Sequence, residues 1–189
     1  LDMAEKPKQI LVLGAGPSGL AASRLLALRG HKVILCDQNG RTGGMLRVAS
    51  LAPGRGEFKE LIEYYEKELE RLKVEIRLNV TVDDTLIEAV QPEVVILASG
   101  SLPEIPQIEG LFDTGIKLHT VNDILEERET VGEKVIILGG DQAGLMTADF
   151  LSRKGKEVVV IHRGGHFALE MAANDRVFLR ENLKKDNVK

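Results

Sequence analysis

Short, wholly apolar runs recur along the chain, and longer stretches with helical periodicity separate them. Residues 10–13 (ILVL), 33–36 (VILC), 94–97 (VVIL), 135–138 (VIIL) and 158–161 (VVVI) lack the alternation of a half-exposed strand. They read as parallel strands covered on both faces. Between the first two lies a helix with Leu20, Leu25 and Leu28 among small residues, ended by Gly30. Residues 57–72 place Phe58, Leu61, Ile62, Tyr65, Leu69 and Leu72 on one helical face, with Glu63 and Lys67 paired on the other. Residues 74–82 alternate like a strand or a strand pair. Residues 83–90 form a short helix with Asp83 or Asp84 as N-cap, and residues 120–127 a helix capped by Thr120 or Asn122. The stretch 164–185 reads as a glycine turn and a helix whose apolar side carries Val177, Phe178 and Leu183. Strands alternating with helices predict an α/β chain built on parallel sheets.

The turns after these strands carry the candidate chemistry. Gly14, Gly16 and Gly19 follow the first strand in G-x-G-x-x-G spacing, with Ala15, Pro17 and Ser18 between them. Such a turn suits a dinucleotide: the first glycine turns sharply, the second lets a pyrophosphate approach the backbone, and the third packs helix on strand. Free N–H groups and the positive end of the helix dipole then face the phosphates. Asp37, 23 residues after Gly14, ends the second strand where it can accept hydrogen bonds from a ribose, with Gln38 beside it. Six residues on, the pair Gly43-Gly44 resembles a second signature of FAD-binding proteins and lets Met45 to Arg47 run alongside a cofactor. The strand at 94–97 ends in Ala98-Ser99-Gly100. This looks like the Ala-Thr-Gly signature of FAD- and NAD-linked reductases, with Ser in the Thr position.

The opening pattern returns from residue 134. Without gaps, Gly139 falls on Gly14, Gly144 on Gly19, Gly155 on Gly30 and His162 on Asp37. This predicts a second βαβ nucleotide unit, with Gly139, Gly140, Asp141, Gln142 and Gly144 as its phosphate turn and NAD(P)H as its ligand. Two positions depart from the pattern. Asp141 replaces the middle glycine, so its carboxylate is expected to oppose a pyrophosphate by bulk and charge. His162 and Arg163 replace the usual acid, and a basic pair suits the 2′-phosphate of NADPH. His166 and Glu170, four apart, lack a third ligand, so no metal site is assigned. A change in character between residues 108 and 130 divides the chain into domains 1–110 and 111–189. The second unit, and the return of the first, are expected to need further strands.

Composition narrows the class. A net charge of −4 and a pI near 5.7 argue against nucleic acid or an anionic membrane surface as the main partner. No apolar run approaches a membrane span, and no signal peptide is evident, so a cytoplasmic location is expected. Cys36 is the only cysteine and lies in an apolar strand, which leaves neither a disulfide framework nor a cysteine-held cluster within the chain. Residues 1–8 (LDMAEKPK) read as a linker or a cut point.

The order of these signatures, with the GGML…PGRGEFKELIEYY stretch, resembles the C-terminal half of the 2,4-dienoyl-CoA reductase, 2-enoate reductase and trimethylamine dehydrogenase family. The resemblance implies two Rossmann-like units, with FAD held by Gly14, Gly16, Pro17, Ser18, Gly19, Asp37, Gly43, Gly44 and Gly100. It also implies a backbone contact from Val82 to the adenine. In that family an N-terminal (β/α)8 barrel carries FMN and an iron–sulfur cluster, and the C-terminal half takes hydride from NAD(P)H and passes electrons on. No catalytic side chain is implied, because the flavin carries the chemistry. Trimethylamine dehydrogenase holds ADP in the equivalent site, so a redox-inert nucleotide-binding domain is the alternative. The resemblance leaves the oligomeric state open.

Overall fold

The computed structural model describes residues 2–113 and 115–189. Its backbone separates into two compact units: residues 1–50 with 56–101, and residues 51–55 with 102–189.

The first unit contains β1 (Gln9–Leu13), α1 (Pro17–Leu28), β2 (Lys32–Asp37), α2 (Gly44–Ala49), α3 (Glu57–Arg71), β3 (Glu75–Leu78), α4 (Asp84–Val90) and β4 (Val94–Leu97). The strands form one parallel sheet in the order β3-β2-β1-β4. The two central strands bury both faces. Ile10, Val12, Val33 and Leu35 pack with Leu20 of α1 and Leu69 of α3, while Leu11, Ile34 and Cys36 pack with Val90 of α4. Leu11, Leu20, Leu35 and Leu69 are wholly buried, each stabilising the fold by about 1.5–3 kcal/mol.

Three expectations change here. β4 is an edge strand whose Val95 and Leu97 are exposed, the latter by 76%, so its apolar run is not covered on both faces. The alternating stretch 74–82 gives only the four residues of β3. Beyond it the Val80 N–H donates to the Asp37 carbonyl at 2.9 Å. On α3, Leu61 lies outside the buried face that Ile62 and Leu69 define. Asp83 is the N-cap of α4, accepting the Leu86 N–H at 2.9 Å.

The second unit holds α5 (Val121–Leu125), β5 (Lys134–Leu138), α6 (Gln142–Arg153), β6 (Glu157–Ile161) and α7 (Ala173–Lys185). Thr120 and Asp123 close a capping box on α5. β5 and β6 pair in parallel, and α6 packs its buried Leu145, Ala148 and Leu151 in this unit. After α7 the backbone of Lys189 bonds to Val158 and Val160 of β6. The buried face of α7 is Leu179 and Leu183; Val177 and Phe178 point to solvent, because the helix phase is set by the later leucines. No helix among the described residues is long and apolar enough to cross a membrane.

Candidate dinucleotide-binding site

In the first unit the glycine turn sits at the carboxyl end of the central strands, where open α/β sheets bind ligands. The Gly14 N–H donates to the Cys36 carbonyl at 2.7 Å, joining the turn to β2. Gly14 has a φ of 105°, and a Cβ there would overlap the Ala98 carbonyl oxygen. A Cβ on Gly19 would overlap the Gly14 carbonyl oxygen, so α1 can lie this close to the strand only with glycine. The residues between are different in kind. Gly16 is the N-cap of α1, Pro17 and Ser18 are exposed, and among the described residues no side chain caps the helix. Its first-turn N–H groups and the positive end of its dipole remain available to an anion.

Two further segments border this turn. The Gly43 N–H donates to the Ala15 carbonyl at 2.8 Å, and a Cβ on Gly44 would press on the Gly16 Cα. The Thr42 hydroxyl donates to the Glu66 carboxylate of α3, tying the segment to that helix. Met45, which is exposed, and half-buried Arg47 belong to α2, a short helix that the sequence pattern did not suggest. Ala98 donates its N–H to Leu13 at 2.8 Å, which holds the end of β4 beside the turn. Ser99 and Gly100 are exposed there, and Gly100 takes a φ of 71°.

Asp37 is only 9% exposed. Its Oδ2 accepts the Ala15 N–H at 2.6 Å, and its Oδ1 accepts the Asn39 N–H and Nδ2 at 2.8 and 2.9 Å. The acid therefore braces the turn as well as presenting lone pairs at the end of β2. Gln38 points to solvent. Val82 packs its side chain against the cluster of Leu11, Ile34 and Cys36. Burial pushes the Cys36 thiol up, in keeping with a packing role.

The second unit repeats this frame and fills it. The Gly139 N–H donates to the Ile161 carbonyl at 2.9 Å, as Gly14 does to Cys36. The Gly140 N–H donates to His162 Nδ1 at 3.1 Å, as Ala15 does to Asp37. The imidazole is thus turned inward, with the Phe167 ring centroid 5.3 Å away, while Arg163 is exposed. Asp141 is the N-cap of α6, and its Oδ1 accepts the Gly144 N–H at 2.9 Å. Glu170 accepts the Gln142 N–H. Hydrogen bonds from its own N–H and from Gln142 hold its carboxyl below the usual carboxylate range, and His162 and Arg176 add attraction.

The comparisons agree with this frame. The model of the pyridine nucleotide-disulphide oxidoreductase family matches residues 8–189. The chain belongs to that family. It is 40% identical over 161 residues to a cinnamate reductase of Clostridium sporogenes, covering 85% of this chain and 24% of the relative. It is 34% identical over 187 residues to an NADH oxidase of Thermoanaerobacter brockii, covering 98% of this chain and 29% of the relative. A solved 2-naphthoyl-CoA reductase superposes with a TM-score of 0.93 at 34% identity, covering all of this chain and 28% of that one. The chain thus spans about a quarter of the length of the relatives it matches. Family membership bears out the Rossmann-like α/β fold, and it supports FAD and NAD(P)H as the cofactors. The kinship with the FAD/NAD(P)-binding half of the enoate reductase group holds as well.

Sequence reasoning missed the segment 166–171 as part of the second site. The signal lay in the repeat itself. Carried past His162, the same offset sets Gly165 on Gly40 but Ala168-Leu169 on Gly43-Gly44, so the glycine pair that marks the first copy is gone.

Proposed function

We propose that this chain is the electron-input module of a larger flavoenzyme, in which bound FAD accepts hydride from NAD(P)H and electrons pass to a flavin- and iron–sulfur-bearing (β/α)8 barrel. The observation that carries the reading is the uncapped N-terminus of α1, bordered by Gly43-Gly44. A pyrophosphate fits there, and Gly14, Gly16, Ser18 and Gly19 would hold it. Asp37 would take the ribose, and Ala98 to Gly100 would border the cofactor on the β4 side.

FAD supplies the two-electron to one-electron conversion. The chain's own residues position it: Asp37 fixes the turn through Ala15, and the dipole of α1 offsets the phosphate charge. No side chain is required as acid or base. The FAD-binding part is taken as residues 1–110 and the nicotinamide-nucleotide part as 111–189, with the cytoplasm as compartment.

Purified protein is expected to be yellow and to bleach with NAD(P)H. Protein that stays colourless after FAD is added would overturn the reading. A second reading, a redox-inert domain holding ADP, is favoured by the filled N-terminus of α6. Mass spectrometry of the released ligand separates the two: FAD supports the first, ADP the second.

A further inference from the structure

The repeat runs further in space than in sequence. The Ala168 N–H donates to the Gly140 carbonyl at 2.7 Å, which is the bond that Gly43 makes to Ala15. Residues 166–171 (HFALEM) are therefore the positional counterpart of residues 41–46 (RTGGML) in the first unit. Ala168 even keeps a left-handed φ of 47°, where Gly43 has 97°.

What the counterpart presents is different. Glu170 stands where the first unit has Met45, and its carboxylate accepts the Gln142 N–H. The first unit has Pro17 at the position of Gln142, with no N–H to offer. Asp141 takes the Gly144 N–H, His162 takes that of Gly140, and the Phe167 ring lies where a Cβ on Gly140 would fall. Three backbone donors of this turn are thus committed to side chains, two of them carboxylates. A pyrophosphate binds a Rossmann turn through such donors and through its own negative charge at the helix N-terminus. Two carboxylates in that place oppose it on both counts.

We propose that the segment 166–171 is an internal occupant of the second unit's phosphate turn, with Glu170 as its anion, and that a nicotinamide dinucleotide binds only when Glu170 is withdrawn. The inference rests on reading the second unit as the nicotinamide-nucleotide domain. Asp141 belongs to the helix it caps, whereas Glu170 lies outside any helix and reaches back to α6. Glu170 is therefore the part that can leave. The closed state lowers apparent affinity by the fraction of molecules that are open.

The test uses protein incubated with FAD and then titrated calorimetrically with NAD⁺ and NADP⁺, which deliver no hydride. The variants are Glu170→Ala, Glu170→Gln and, as a charge control, the exposed Glu129→Gln. Losing a charge-assisted hydrogen bond to the internal occupant is expected to tighten both nucleotides about tenfold in Glu170→Ala. Glu170→Gln, which keeps an acceptor, is expected to gain less, and Glu129→Gln to change neither. Amide exchange of residues 166–171 is expected to speed up on saturation with NAD⁺. Unchanged or weaker binding by Glu170→Ala overturns the proposal, as does nucleotide binding by no variant, or slower exchange in that segment on saturation. Flavin content is read separately by absorbance, so failure of the FAD reading appears as colourless protein while the Glu170 comparison stands.

Discussion

His162 serves Gly140 as Asp37 serves Ala15: Asp37 ends β2 and His162 directly follows β6, and each side chain accepts the N–H of the residue after its unit's first glycine, at 2.6 and 3.1 Å respectively. The brace is shared, but Asp37 brings a second carboxylate oxygen, which accepts from Asn39. Ala15 is wholly buried, so its N–H has no solvent to fall back on. Asp37→Ala is expected to cost about 1–3 kcal/mol in urea unfolding, through the orphaned donor, and to lower FAD retention. Asp37→Asn keeps an acceptor and is expected to lose less of both. Equal stability of Asp37→Ala and the parent would show that the brace is dispensable.

Gly14 and Gly139 share a left-handed backbone but not their surroundings. A Cβ on Gly14 would overlap the Ala98 carbonyl, whereas one on Gly139 would meet nothing within 4 Å. Gly139→Ala is therefore expected to cost only backbone strain, about 1–2 kcal/mol. Gly14→Ala adds displacement of the β4 end and is expected to exceed that by about 1–3 kcal/mol. Chemical denaturation of the two variants gives the difference, and equal costs would refute the role of Ala98.

Much of this was legible in the sequence because the strongest signals are local. The apolar runs of β1 and β2 forecast strands buried on both faces, and Asp83 forecast a cap. What depended on neighbours was not legible. Leu97 reads as buried until its strand is found at the sheet edge, and Phe178 reads as core until Leu179 and Leu183 set the phase of α7. Asp141 reads as an obstacle to a ligand. Only its 2.9 Å bond to Gly144 shows it as a cap, and only tertiary proximity brings Glu170 to the same helix end.

Glu68 on α3 accepts from Arg71 Nε at 2.8 Å and from Arg24 Nε at 2.9 Å, which brings its pKa to about 2 from an ordinary 4.5. A folded-state pKa below the unfolded one stabilises the fold above the unfolded value, and the gain fades as pH falls toward the folded one. Thermal unfolding is therefore expected to lose stability between about pH 4.5 and pH 2, less steeply in Glu68→Gln. High salt is expected to shrink the difference, because Arg71 is largely exposed. Identical pH profiles for the two proteins would remove Glu68 from the acid response.

Arg163 is exposed at the end of β6, while its neighbour His162 is committed to Gly140. Any recognition of a 2′-phosphate at this strand end then falls to the guanidinium alone. Arg163→Ala is expected to reduce the preference for NADPH over NADH severalfold, a loss on the order of one charge-assisted hydrogen bond. Steady-state kcat/KM for both nucleotides measures the ratio. An unchanged ratio would show that Arg163 reads no phosphate.

Asp141 combines two effects that substitution can separate. As N-cap of α6 it stabilises the helix, and as a carboxylate at the phosphate turn it is expected to oppose a dinucleotide. Asp141→Gly removes the charge and leaves a residue that still caps tolerably, so a loss of only a few tenths of a kcal/mol is expected. Asp141→Ser keeps a capping oxygen without the charge and is expected to match the parent in stability. Asp141→Ala has neither, and about 1 kcal/mol is expected to go. Nucleotide affinity should follow a different order: both Gly and Ser tighten NAD(P)H, and Gly more, since it also clears the space. If stability and affinity moved together across the three variants, the cap would be the whole of Asp141's role and its charge would have no bearing on the second site.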